Sequence, residues 1–219
     1  MIRIAIEYIK RLLSTLDEVA HMQIALIKAI KRIRKQFFMK RFRNFDISSG
    51  VGKDGCGKGC LLAGTQHISI GKDCYFGQGT ELSALKNHFD QKLQPCLIIG
   101  DHVRCVGGCR ITCAGNISIE DDVLLGPEVF ITDHNHGMNP DYPGGYSRQP
   151  LIIKDVRIGK GVWLGQRVCV MPGVTIGEHS IIGANSVVTK DIPPHTIAAG
   201  CPAKVVKIWN SVNNEWISM

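Results

Sequence analysis

No glycine and no proline occur before Gly50. Both disfavour helix interiors, so their absence leaves this stretch free to be helical. It also lacks a long apolar run. Its longest, Ile24 to Ile27, has four residues, far short of the roughly 20 that a membrane-spanning helix needs. A secretory leader is not expected, because Arg3, Glu7, Lys10 and Arg11 interrupt any apolar core. Acidic residues are missing from Lys28 to Arg43, where eight Lys or Arg stand. The nine cysteines lack the two-residue spacing usual for zinc, so no metal is expected, and without a leader they point to a reducing, cytoplasmic compartment.

The charge is unevenly placed. Residues 1–45 hold eleven basic and three acidic residues, a net +8; the rest holds fifteen and sixteen, a net −1. Ile6, Ile9, Leu13, Leu16, Ala20, Ile27 and Ile30 follow three-four spacing, which predicts an amphipathic helix or a pair of them. The expected role is a cap over the end of a solenoid or a subunit contact. The alternative is attachment through residues 28–43 to an anionic membrane surface, at the inner membrane face, or to a polyanionic glycan. Nucleic acid is not an expected partner, since no base-reading motif accompanies the charge.

What dominates the remainder is a period of six. Ile158, Leu164, Val170, Ile176, Ile182 and Val188 each begin a hexad, and Gly follows four of them. Four residues after each comes Val162, Val168, Val174, Ser180, Ser186 or Ile192. A helix repeats every 3.6 residues and a strand every two, so neither gives this beat. Short strands joined by corners do, with three hexads closing one triangular coil. The second-position Gly is expected to supply unusual turn dihedrals. The beat recurs earlier at Ile70, Phe76, Ile99, Cys105, Ile111 and Ile117, then resumes two residues out of phase at Ile119, Leu125 and Ile131. Two stretches break it, near 85–97 and 137–153, and are expected as loops ejected from the coil. The domain boundaries expected are 1–45 for the basic segment, 46–205 for the solenoid, and 206–219 for a short C-terminal extension. Cys105 and Cys109 fall at first and fifth hexad positions, where a small buried side chain is wanted, which makes them structural.

Gly52 to Gly59 nearly reads as a phosphate-binding loop, but Gly59 stands where Ser or Thr must hold Mg²⁺. The stronger chemical signal is Asp133-His134-Asn135-His136-Gly137, at the mouth of the second loop. His134, fourth in the hexad of Ile131, is expected on the outer surface, where imidazole can act as a general base. Asp133 or a backbone carbonyl could fix its tautomer, and His136 is a second candidate.

The hexads, this His segment, Val162-Trp163-Leu164-Gly165 and the ending Gly200-Cys201-Pro202-Ala203-Lys204 together resemble the hexapeptide-repeat acyltransferases. The likeness is greatest to sugar O-acetyltransferases of the maltose and galactoside type and their relatives that decorate surface polysaccharides. It implies a mainly β chain folded as a left-handed parallel β-helix, a homotrimer with sites between subunits, acetyl-CoA as donor and a saccharide acceptor. It implies a catalytic histidine at His134. It places Trp163 near the pantetheine arm, Gly165 and Ala184 beside it, Thr189 and Lys190 near the phosphates, and Lys204 and Lys207 where the family often has Arg. Cys105-Val106-Gly107-Gly108 departs from the polar acceptor contact of the galactoside enzymes, which leaves the acceptor open. Within the fold the alternatives are an antibiotic-inactivating acetyltransferase, a metal-dependent hydratase ligated by His102, His134 and His136, and a non-catalytic assembly protein.

Overall fold

The computed structural model describes residues 60–219, together with Lys28 and Ala29. Apart from Lys28 and Ala29, the helical segment expected over 1–45 lies outside the described residues, as does the near-phosphate loop.

Three parallel ladders run side by side. The first stacks Leu61–Ala63, Glu81–Ala84, Arg110–Cys113, Phe130–Thr132, Cys169–Val170 and Val187–Val188. The second stacks Ile68–Ile70, Cys96–Ile99, Asn116–Ile119, Val156–Ile158 and Thr175–Ile176, extended by a bridge to Ile192. The third stacks Tyr75–Phe76, Arg104–Cys105, Leu124–Leu125, Trp163–Leu164, Ile181–Ile182 and Thr196–Gly200. The chain visits the ladders in rotation, so each circuit is one coil of a parallel β-helix. Pairing is in register, as with Leu124 beside Trp163 and Trp163 beside Ile181. The hexad therefore sets both strand length and stacking.

Side chains at first and fifth positions point inward and fill the prism. Ile111, Leu125, Ile131, Ile158, Leu164, Val170 and Ile176 are fully buried, as are Val129, Val162 and Val168. Ser180 and Ser186 are buried too, each with its hydroxyl satisfied by backbone: Ser180 Oγ donates to the Pro193 carbonyl and Ser186 Oγ accepts from Gly200 N–H. Cys105 and Cys109 behave as the core residues expected, and their mutual hydrogen bond and burial hold the Cys105 thiol protonated.

The glycines work differently from expectation. Positive φ falls at the fourth hexad position, at Asp73, His102, Asp122, Glu128, Arg167, His179, Asn185 and His195, and at Gly79, Gly108, Gly161 and Gly173. The second-position glycines are needed for close approach instead. A Cβ on Gly77 would lie 1.8 Å from the Val106 carbonyl oxygen, and one on Gly126 would lie 2.8 Å from Gln166 N. Each coil nests on the next there. Gly79 is the contrast, with φ of 73° and its nearest neighbour 3.9 Å away. Gly77→Ala is thus expected to destabilise by about 2 kcal/mol or more through overpacking, and Gly79→Ala by about 1 kcal/mol through left-handed strain alone. Urea midpoints of the two variants check this ordering.

Both ejected loops are present, with shifted edges. The first carries a small hairpin, Asn87–His88 with Gln91–Lys92. Leu97, expected in that loop, is a fully buried member of a coil strand. The second begins earlier than 137: His134–His136 pairs antiparallel with Leu151–Ile153 and forms its stem. After the last coil the chain reverses, and Ala203–Asn210 runs antiparallel to Thr196–Gly200, with Glu215–Ser218 outside it. Residues 206–219 belong to this hairpin rather than trailing from it.

Candidate active site

Both loops leave the edge where the first ladder turns into the second. Between them lies a coil that turns there in only two residues, Ala114 and Gly115, from Arg110–Cys113 to Asn116–Ile119. The two-residue phase shift in the sequence repeat marks this circuit: Ile111 and Ile119 align with Val170 and Ile176 of an ordinary coil, and the two added residues lengthen the strands Arg110–Cys113 and Asn116–Ile119 on either side of the corner. Leu93, Ala114 and Leu151 bury against one another, with Leu85 and Ile153 beside them, so the feet of both loops share a small apolar cluster.

Asp133 clamps the short corner. Its side chain is fully buried, and its carboxylate accepts N–H from Ala114 at 2.8 Å and from Gly115 at 2.8 Å. His134 Nδ1–H donates to the same carboxylate at 2.8 Å. Burial pushes this carboxyl upward, but the His134 bond and the two backbone N–H groups outweigh it and hold the group below the usual Asp range. Asp133, rather than a backbone carbonyl, therefore sets the tautomer, with Thr132 Oγ1 also near Nδ1 at 3.3 Å. The ring's other nitrogen, Nε2, has no hydrogen-bond partner among the described residues. A neutral imidazole held this way offers Nε2 as a proton acceptor.

His134 is less open than expected, with 15% of its side chain exposed. The antiparallel pairing with Ile153 covers it, because the hexad of Ile131 stops at Asp133 and the backbone leaves the coil there. His136 is exposed and packs edge-on to His88, ring centres 5.1 Å apart. His102 lies elsewhere, on the edge between the second and third ladders, where its Nδ1 bonds Asp122 at 3.1 Å. The ligand set weighed for a hydratase is thus not gathered within one chain.

The donor candidates divide between two places. Trp163 faces outward from the third ladder, 48% exposed, between Leu124 and Ile181. Gly165 follows it at the next corner, beneath the backbone of Ala184; a Cβ there would meet Ala184 N at 2.7 Å. Lys204 and Lys207 are exposed on the return strand of the same ladder, opposite Ala199 and Ile197. Thr189 and Lys190, also exposed, lie instead on the edge that carries His134, two coils further along. In a three-sided coil that edge is opposite the third ladder, so one chain does not bring His134 and Trp163 together.

Sequence reading missed the residues that tie the loops to the stem. Gln149 is buried and holds Asn139 through two bonds, accepting its N–H at 2.9 Å and donating to its carbonyl at 2.7 Å. Gln91 bonds both the N–H and the carbonyl of Leu151, at 2.7 and 3.3 Å. His88 Nε2–H donates to the Gln149 carbonyl at 3.0 Å. Isolated glutamines in loops carry no periodic signal by which they could have been found.

Coils with one inward aliphatic every six residues define a hexapeptide-repeat protein, and the histidine held by a carboxylate at a loop stem is its candidate acid–base group. The family described as bacterial transferase hexapeptide (six repeats) matches residues 155–190. A protein of Escherichia coli K12, provisionally named as the lipopolysaccharide biosynthesis O-acetyl transferase WbbJ, is 33% identical over 165 residues, covering 72% of this chain and 80% of its own length. The galactoside O-acetyltransferase of the same organism is 40% identical over 91 residues, and there the match spans only 43% of the relative. A solved galactoside acetyltransferase in complex with coenzyme A is 26% identical with a TM-score of 0.51, covering 87% of this chain and 86% of that one. The chain belongs to the hexapeptide-repeat transferases, and it is an acyltransferase.

Proposed function

We propose that this chain transfers an acetyl group from acetyl-CoA to a hydroxyl of a sugar or surface-polysaccharide unit, with His134 as general base. The observation that carries the assignment of the base is the Asp133–His134 bond, which fixes the proton on Nδ1 and leaves Nε2 to work. Bound acetyl-CoA supplies the acetyl thioester. His134 Nε2 takes the proton of the acceptor hydroxyl as its oxygen bonds to the acetyl carbon. The same nitrogen returns that proton to the departing sulfur, so the base ends neutral. Holding both substrates at one imidazole contributes much of the rate.

The active form in this reading is a homotrimer of left-handed coils, with each site built by two subunits. Its support is the separation of the His134 edge from the third ladder, which a neighbouring copy removes by setting its Trp163 face against that edge. Trp163 then lies along the pantetheine arm, and Gly165 and Ala184 leave room beside it. Thr189, Lys190, Lys204 and Lys207 are exposed where the phosphates would run. Among the described residues, none of the three lysines makes an ion pair, so their charge is available to phosphate. The basic segment is read first as a cap or subunit contact, with attachment to an anionic membrane surface or polyanionic glycan through residues 28–43 as the alternative; no helix among the described residues is long and apolar enough to cross a membrane.

The test is thiol release from acetyl-CoA against a panel of sugars and oligosaccharides, with antibiotics as the competing acceptor class. Charge reversal at Lys190 or Lys204 is expected to raise the KM for acetyl-CoA several-fold, more than it lowers kcat. The effect should shrink as salt rises, because exposed charges are screened. A salt-independent loss of activity would reassign these lysines to folding.

A further inference from the structure

The two loops beside His134 form more than a stem. In a strand, residues two apart share a face, so His136 projects on the same side as His134, roughly 7 Å along. A succession of side chains continues from it. His136 meets the edge of His88 at 5.1 Å, and His88 meets the edge of Phe89 at 4.9 Å. The Arg148 guanidinium lies over the Phe89 ring, 5.6 Å from its centre. The row therefore leads away from the proposed base, with His136 and Arg148 from the second loop and His88 and Phe89 from the first.

Phe89 is in an expensive conformation. Its φ is 48°, in the left-handed region that aromatic residues rarely adopt, and the residue is 61% exposed. The two-residue turn Phe89–Asp90, which joins Asn87–His88 to Gln91–Lys92, demands a left-handed residue, and here a bulky exposed aromatic fills the place usual for Gly or Asn. Strain of this kind persists where the surroundings impose it and clusters at ligand sites. The imposing structure is visible here: His88, the residue before, is bonded to Gln149, and Gln91, two residues after, is bonded to Leu151. Those anchors fix the hairpin tip and hold the exposed Phe89 under Arg148.

Arg148 makes no ion pair with any described residue. Asp90 and Asp141 sit in the same two loops and make no ion pair with it, while Lys86 and Lys92 add positive charge to the first loop. A guanidinium held over an aromatic face by a cation–π contact keeps N–H donors free to bind an anion. An exposed aromatic ring also offers the apolar face against which a sugar ring stacks.

We infer that Phe89 and Arg148 form an acceptor subsite that selects an anionic saccharide, with the ring holding a sugar and the guanidinium reading a carboxylate or phosphate on it or on the next unit. This rests on the sugar acetyltransferase reading given above. His88 and Gln149 are positioning residues for the subsite; the reaction at His134 needs neither.

The experiment uses the full-length protein and thiol release from acetyl-CoA. Three probes are compared: a glucuronic-acid-containing tetrasaccharide, its carboxyl-reduced counterpart, and UDP-N-acetylglucosamine. The wild-type protein is expected to favour one of the two anionic probes over the neutral one by at least tenfold in kcat/KM, and which one it favours identifies carboxylate or phosphate as the anion read. Arg148→Gln should abolish that preference while leaving the KM for acetyl-CoA and the rate on the neutral probe unchanged. Phe89→Leu should raise the acceptor KM for every accepted probe, again without changing the KM for acetyl-CoA. Equal use of neutral and anionic probes by the wild type, or a preference that survives Arg148→Gln, overturns the subsite and leaves the acetyltransferase reading standing. No thiol release with any of the three overturns both.

Discussion

His134→Ala is expected to lower turnover by roughly a hundredfold or more while leaving coenzyme affinity nearly unchanged. The reason is local. The ring contributes a proton acceptor at Nε2 and little surface, since most of it lies under the antiparallel stem. Removing it takes away base catalysis without touching the third ladder, where the donor is proposed to lie. His136→Ala should be milder, because His136 has no carboxylate partner among the described residues and packs against His88 of the first loop. Single-turnover rates with saturating acetyl-CoA separate the two. An inactive His136 variant beside an active His134 variant would reverse the assignment.

Asp133→Asn should cost at least tenfold in turnover and also weaken the fold. An amide presents one oxygen where the carboxylate presents two, so one of the Ala114 and Gly115 N–H groups or the His134 N–H loses its acceptor. The amide N–H₂ facing His134 also favours the tautomer with its proton on Nε2, which removes the base. The pH dependence of stability follows from the sign of the Asp133 shift. Its folded value lies below the unfolded one, so its contribution is fully present above the ordinary Asp value, near pH 4, and is lost as pH falls through the depressed folded value. The wild type should therefore lose stability from about pH 4 downward more steeply than Asp133→Asn, which has no such group to protonate. Urea midpoints measured between neutral and acid pH check this.

Much of the coil was readable because its period is imposed by geometry. One inward side chain per face requires an aliphatic every six residues, and Leu164, Val170 and Ile176 obey this without regard to their distant partners. The direction of Trp163 followed from the inward position of Val162. Asp133 and His134 were conspicuous because charge and imidazole stand where the repeat breaks. What escaped was whatever depends on residues far apart in the chain. The glycines illustrate it: a turn dihedral and a close approach by the next coil both select Gly, and only stacked coils reveal that Gly77 answers to Val106. The loop edges shifted because His134–His136 continues as strand after leaving the coil, and a strand of three residues has too short a pattern to announce itself. Phe89 and Arg148 are 59 positions apart, and nothing local in either loop foretells their meeting.

The reversal at the end of the third ladder bears on how long such a molecule can grow. A stack of parallel strands has no intrinsic terminus: its last coil offers the same unpaired N–H and C=O groups that received the coil before, and a second chain could add there as readily as the first continued. Ala203–Asn210 occupies that position antiparallel to Thr196–Gly200, and Glu215–Ser218 follows in the same sense. Antiparallel pairing breaks the repeat of direction and register on which stacking depends. The hairpin thus ends the parallel stack of that ladder, because its outer edge, the four-residue strand Glu215–Ser218, no longer carries the direction and register that a further coil would need.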